Sequence, residues 1–196
     1  MMKWYPDYSF ILGSQSPRRQ QLLRDLGLPF SVRTTETDET YPASLSMSEI
    51  PVYIAGEKAS ALLPRLKEGE MLITADTIVW LNGEVLGKPG DAAHAREILG
   101  KLSGKTHQVV TGVCLTTCRK QKSFFVITDV DFRVLSQDEI DHYIETDGPF
   151  DKAGAYGIQE WIGLAAITGI NGSYFNVVGL PVHQLYEEIR NFDHNY

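Results

Sequence analysis

Charged groups able to hold a phosphate chain and activate water recur along this sequence where loops are expected. Arg18 and Arg19 follow Gly13-Ser14-Gln15-Ser16-Pro17, behind the apolar run Phe10-Ile11-Leu12. The run predicts a strand. Ser16 suits an N-cap and Pro17 the first helical position, where a missing N–H costs nothing. Gln20-Gln21-Leu22-Leu23-Arg24-Asp25-Leu26 then reads as an amphipathic helix, with Gly27 as its stop. A strand, a small-residue turn and a helix N-terminus bring free N–H groups and the positive dipole end to one point. Two planar guanidinium forks there suit phosphate. An ordinary capped helix with a solvated Arg-Arg pair fits the same residues.

The other candidates are single residues. Asp76 follows the apolar run Met71-Leu72-Ile73-Thr74-Ala75, at the expected end of a strand, where α/β enzymes commonly place reacting groups. A turn-forming Asp is the alternative. Lys58 falls between Ile54 and Leu62 on a helical wheel, in an apolar stripe with Ile50 and Ala61. It either snorkels to water or offers an ammonium to a phosphate, and Lys58→Met is expected to suit the stripe. Lys88, in Leu86-Gly87-Lys88-Pro89-Gly90, and Lys152, in Asp151-Lys152-Ala153-Gly154, both read as surface lysines on loops. The P-loop spacing is absent. Asp38 and Glu39 crowd the polar stretch 34–48, which reads as one long loop. Ser14 and Ser16 have no neighbouring histidine in sequence to serve as a base, and the five histidines show no metal spacing, His107 and His183 reading as structural. Cations on loops together with carboxylates suit metal-assisted phosphoryl chemistry, the cations holding phosphates and the carboxylates holding a divalent ion and activating water.

These groups need a scaffold. The 196 residues carry a net charge of -7, with 43% hydrophobic and 22% charged residues, as in an ordinary globular protein. An acidic chain argues against general binding to nucleic acid or anionic membrane, so an anion site here must be a local cationic cluster. The opening residues 1–7 have no signal-peptide apolar core, and no apolar run is long enough to span a membrane. Cys114 and Cys118 sit in an expected strand, about 13 Å apart if extended, too far for a disulfide, and read as two buried thiols. A helix is expected over 49–66. A strand is expected over 71–75, and a hairpin around Asn82-Gly83. Asp91 predicts a helix cap, with that helix ending at Leu102. Strands are expected over 107–117 and 123–135, and Ser136 with Glu139 predicts a capping box. A glycine-rich loop over 147–158, a strand over 173–178 and a helix over 182–191 complete the reading. Hairpins break any strict βαβ rhythm, so the expected fold is a mixed-sheet α/β fold and not a doubly wound parallel sheet.

Taken in order, several segments resemble the Maf family of nucleoside triphosphate pyrophosphatases along nearly the whole chain. They are Gly13-Ser14-Gln15-Ser16-Pro17-Arg18-Arg19, Glu57-Lys58-Ala59, Ala75-Asp76-Thr77-Ile78-Val79, Leu86-Gly87-Lys88-Pro89, Leu102-Ser103-Gly104-Lys105-Thr106-His107-Gln108-Val109, Asp151-Lys152-Ala153-Gly154-Ala155-Tyr156-Gly157-Ile158-Gln159, and Asn171-Gly172-Ser173-Tyr174 through Gly179-Leu180-Pro181. The resemblance implies one domain over residues 1–196 with two lobes and a central cleft, similar to inosine triphosphate pyrophosphatases. It implies hydrolysis of a nucleoside triphosphate to the monophosphate and pyrophosphate in the cytoplasm, with Mg²⁺ (or Mn²⁺) as cofactor. The implied substrate-binding residues are Ser14, Arg18, Arg19, Lys88 and Lys152. The implied catalytic residues are Asp76, Lys58, Lys88 and Glu39, with Asp76 as proton acceptor and Asp76 and Glu39 on the metal. Glu39 is less securely matched, since Asp38 adjoins it. Ala75-Asp76-Thr77 and Gly157-Ile158-Gln159 are similar to the members acting on dTTP and UTP, which makes Arg18, Thr77 and Gln159 the expected base-selecting residues. A 7-methyl-GTP pyrophosphatase and a non-catalytic septum-formation protein are the alternatives. No nucleic-acid or membrane partner is implied; a homodimer is. Two departures stand out: Glu160-Trp161, where glycine usually follows the glutamine, and Gly13, where alanine is more usual and the change reads as harmless.

Overall fold

The computed structural model describes residues 4–193; the first three residues of the segment read above for a leader lie outside them. In chain order the strands and helices are β1 (Ser9–Leu12), α1 (Pro17–Asp25), β2 (Phe30–Val32), α2 (Glu49–Leu62), β3 (Glu70–Leu81), β4 (Glu84–Leu86), α3 (Ala92–Leu102), β5 (Thr106–Thr116), β6 (Gln121–Phe132), α4 (Gln137–Asp147), α5 (Trp161–Ala166), β7 (Ile167–Asn171), α6 (Tyr174–Val178) and α7 (Val182–Arg190). Among the described residues the strands form one seven-stranded sheet in the order β2-β1-β3-β5-β6-β7, with β4 on β3. β1 pairs parallel to β2 and β3, whereas β3–β4 and β6–β7 are antiparallel. The sheet is therefore mixed, as the broken βαβ rhythm implies.

Local signals account for the starts of three helices. The Ser16 side chain accepts from the Arg19 N–H, Asp91 caps α3 through the His94 N–H, and Ser136 and Glu139 close a capping box on α4. Two expectations need correction. Residues 174–178 form the short helix α6, and the last strand is β7, a few residues earlier. Asp76 does not end a strand: β3 runs unbroken through it to Leu81. The reason is pairing. β3 loses β1 after Ile73, where β1 stops at Leu12, and gains β4 only at Val79. Asp76 lies in the interval, so an acidic residue falls on a continuous strand where neither β1 nor β4 is alongside.

The chain packs as two compact units. Unit 1 comprises residues 1–76, 111–126 and 179–196; unit 2 comprises 77–110 and 127–178. In unit 1, α2 lies on the sheet at close range. A Cβ on Gly112 of β5 would meet the backbone carbonyl carbon of Pro51 at 2.3 Å, so only glycine admits the start of α2 there. The Thr74 hydroxyl donates to the Ala55 carbonyl at 2.7 Å, pinning the middle of the helix. Ala55, Ala59 and Leu62 of the helix pack with Ile11, Leu72 and Cys114 of the sheet. Gly13 also lies close against Thr74: a Cβ there would stand 2.6 Å from Cγ2 of Thr74, whose hydroxyl is already committed. Cys114 is buried as expected, but Cys118 is exposed, because β5 ends two residues before it.

In unit 2 the core includes an edge-to-face trio of His107, Phe132 and Tyr156. His107 Nε2 and the Tyr156 hydroxyl share a 2.8 Å hydrogen bond. His183, by contrast, is exposed on α7. Burial pushes the His107 pKa down to about 4, with Asp131 opposing it weakly. A histidine whose folded pKa lies below its unfolded value of about 6.5 costs stability as pH falls through that interval, because only the unfolded chain takes up the proton. Between pH 7.5 and pH 5 the wild type should lose about 2 kcal/mol more unfolding free energy than His107→Gln. Urea titrations at the two pH values measure this, and parallel losses in both proteins would remove His107 as the cause.

Candidate functional site

Helical and strand periodicities together bring Lys58 to Asp76. Lys58 lies one helical turn after Ala55, and Asp76 lies two residues after Thr74, on the same face of β3. Since Thr74 holds Ala55, the next pair outward is Asp76 with Lys58. Nζ of Lys58 donates to Oδ1 of Asp76 at 2.7 Å. It also meets Oε1 of Glu39 at 2.8 Å. The Lys58 and Asp76 side chains are 15% and 13% exposed, and that of Glu39 is 49% exposed. One ammonium is thus clasped by two carboxylates, one sheltered and one open to water. Lys58 is at the edge of the apolar stripe rather than inside it. The stripe proper is Ile50, Ile54, Ala55, Ala59 and Leu62, and Ala61 faces out.

The loop distinguishes its two acids. Asp38 Oδ1 accepts the Thr40 N–H at 3.0 Å, a local turn contact, while Glu39 reaches Lys58. Arg19 is a second cation held in place near this cluster. Its Nε donates to the Gly179 carbonyl at 2.9 Å and its Nη1 to Ser14 Oγ at 3.4 Å. Ser14 Oγ also accepts the Ser16 N–H at 3.2 Å, tying the turn to the start of α1. Packing around the guanidinium pulls the Arg19 pKa down, Asp76 raises it, Arg18 lowers it and Glu39 raises it. Arg19 stays charged, since guanidinium is not deprotonated in proteins. Arg18, Glu39 and Asp76 thus all act on the Arg19 guanidinium. Unit 1 therefore brings together six of the expected residues: Ser14, Arg18, Arg19, Glu39, Lys58 and Asp76.

The remaining expected residues belong to unit 2. Gly154, at a φ of 70°, packs so closely on β3 that a Cβ would lie 2.7 Å from Cγ2 of Val79. Its N–H donates to the Gly87 carbonyl at 3.1 Å. The strand bearing Thr77, the turn bearing exposed Lys88 and the segment leading to Gln159 meet there. Lys152 is not a surface lysine. It is 8% exposed, and its Nζ is held by Asp151 at 2.7 Å and Glu160 at 2.8 Å. Burial lowers its pKa, but the bonds to Asp151 and Glu160 outweigh that and raise it. Gln159 is exposed. Tyr143 was not among the expected residues. The structure buries it on α4 with its hydroxyl bonded to Glu160.

Asp76 and Glu39 supply hard oxygen donors converging on a single cationic position, which fits a small divalent ion. Among the described residues no group of three or more His, Cys, Asp or Glu is assembled for a metal. Two carboxylates with water and phosphate oxygens completing the shell is a usual arrangement for Mg²⁺. The unit 1 cluster thus holds two carboxylates, a clasped ammonium and guanidinium groups near a helix N-terminus, a set of groups suited to phosphate chemistry.

The family model described as Maf-like protein matches residues 9–192. The chain is 55% identical over 191 residues to the dTTP/UTP pyrophosphatase of Phocaeicola vulgatus, covering 97% of this chain and 99% of that one. It is 54% identical over 184 residues to the dTTP/UTP pyrophosphatase of Bacteroides thetaiotaomicron, covering 93% and 95%. Among solved structures it is similar in fold to a HAM1 protein from Coxiella burnetii, with a TM-score of 0.50 at 15% identity, covering 92% of this chain and 97% of that one. No described helix is long and apolar enough to cross a membrane.

Proposed function

We infer, because this chain belongs to the Maf-like protein family, that it is a nucleoside triphosphate pyrophosphatase acting on dTTP and UTP. Water oxygen bonds to the α-phosphorus, the bond from that phosphorus to the bridging oxygen of the β-phosphate breaks, and the monophosphate and pyrophosphate depart. The observation that carries this reading is the clasp of Lys58 by Asp76 and Glu39 within the field of Arg19.

The proposed roles follow from charge and exposure. Asp76, sheltered and paired with Lys58, takes the proton of the attacking water. Lys58 exchanges a carboxylate for a phosphate oxygen when substrate enters. Ser14, Arg18 and Arg19 orient the phosphates at the N-terminus of α1. Lys88 adds a further cation to the substrate. Asp76 and Glu39 would hold Mg²⁺, with Mn²⁺ the alternative, and the bound ion polarises phosphoryl oxygens. Arg18, Thr77 and Gln159 select the base by hydrogen bonds to the pyrimidine edge. The cytoplasm is the compartment of this reading, in keeping with two free thiols, and the task is clearance of excess or modified pyrimidine nucleotides. The nucleotide is the proposed partner, with a second copy of the chain the one protein partner.

A nucleotide panel tests this reading. With Mg²⁺, kcat/KM for UTP and dTTP should exceed that for ATP, GTP and 7-methyl-GTP by at least about ten-fold, because a mismatched base leaves a hydrogen-bonding group of the site unpaired. The phosphorus product should be pyrophosphate. Equal values across bases would withdraw the pyrimidine assignment. Orthophosphate as product would withdraw the bond assignment, and no product at all would favour the non-catalytic alternative.

A further inference from the structure

Glu160 stands where the family resemblance leads one to expect glycine, and it is the hub of a network in unit 2 that the reaction as described leaves unused. Its Oε1 holds Lys152 Nζ at 2.8 Å, and its Oε2 accepts the hydroxyl of Tyr143. The same Tyr143 oxygen accepts the Gly157 N–H at 3.0 Å. Tyr143 thereby grips both ends of the four-residue turn Gly157-Ile158-Gln159-Glu160. The turn is also closed on itself by the Glu160 N–H donating to the Gly157 carbonyl at 3.0 Å. Packing leaves it no slack. A Cβ on Gly157 would meet the Glu160 carboxyl carbon at 2.7 Å, and one on Gly163 would meet the Ile158 carbonyl oxygen at 1.9 Å. Trp161, the next residue, stacks edge-to-face on His142 of α4 at 5.1 Å. Ile158 is buried, so of the two central residues only Gln159 extends an exposed side chain.

We propose that Tyr143 and Glu160, braced by Lys152, are positioning residues that set the backbone of Gln159 and through it the base preference. This rests on the pyrimidine reading above. Lys152 then serves Glu160 and not the phosphates. Its ammonium neutralises a carboxylate that would otherwise sit half-buried among a phenol and a tight turn, a costly position for an unpaired charge. A turn held in one backbone conformation presents Gln159 from a fixed position, and that favours one base edge over another.

Tyr143→Phe removes both bonds and keeps the ring. Glu160→Gln keeps an acceptor for Tyr143 but gives up the ion pair. In both, the ratio of kcat/KM for UTP over ATP should fall about ten-fold, while kcat on UTP changes less than about three-fold. Lys152→Met combined with Glu160→Gln should be no worse than the more affected single variant, since the two act as one unit. Amide exchange gives a readout that needs no substrate: protection of the Gly157 N–H should drop more than ten-fold in Tyr143→Phe. Loss of thermal stability with an unchanged base ratio would make the network merely structural and overturn the proposal. So would unchanged Gly157 protection. So would additive effects of Lys152→Met and Glu160→Gln on KM, which would return Lys152 to the substrate. A wild type with no pyrimidine preference refutes the parent reading instead, and the exchange result still decides whether the turn is held as described.

Discussion

Asp76→Asn should fold and bind nucleotide, yet lose kcat on UTP by at least about a hundred-fold, the usual cost of removing a general base. The substitution keeps the shape on β3 and leaves Lys58 its second partner, Glu39. The side chain is 13% exposed, so the lost charge acts in a sheltered place. Steady-state pyrophosphate release with saturating UTP and Mg²⁺ is the measurement, with thermal denaturation as the check on folding. The companion variant is Asp38→Asn. Asp38 only accepts the Thr40 N–H, a contact an asparagine oxygen can also make, so turnover should stay within about two-fold of wild type. A folded Asp76→Asn enzyme with near-normal kcat would remove Asp76 from catalysis. An equal loss in Asp38→Asn would mean that the two loop acids had been assigned the wrong way round.

Lys58→Met should have two effects of separate origin. Turnover should fall by at least about a hundred-fold, as expected when a cation that stabilises developing phosphate charge is lost. Stability should also fall, by about 1–3 kcal/mol, because Asp76 and Glu39 are then left facing each other without the ammonium between them. From the helical wheel alone methionine suits the stripe and no loss of stability is expected. The structure reverses that, since the carboxylate opposite comes from another element. Urea titration and UTP turnover on one preparation separate the two effects. A variant both fully stable and fully active would reduce Lys58 to a snorkelling side chain. A destabilised but fully active one would leave it a purely structural ion pair.

Features decided within a few residues were readable directly from the chain. Ser16, Asp91 and the Ser136–Glu139 box each satisfy helix N–H groups three positions away, so side-chain type and spacing suffice. The turn at Asn82-Gly83 is set in the same way: both residues adopt positive φ, at 51° and 92°. The broken βαβ rhythm likewise indicated a mixed sheet, and the order of motifs indicated the family. What neighbouring elements supply was beyond local reading. β3 continues through Asp76 because it pairs with β1 before that residue and with β4 after it, and β1 is far away in sequence. Residues 174–178 look extended from their aromatic and β-branched side chains, yet form a helix whose Asn176 amide is held by the Val109 carbonyl and the Thr128 hydroxyl. The Lys58–Asp76 pair joins residues 18 apart. Nothing in the run of acids at 36–39 tells which of them a lysine on α2 will reach. Lys152 reads as a surface residue until Glu160 is folded against it, because burial of a charge depends on a partner whose arrival is a tertiary event.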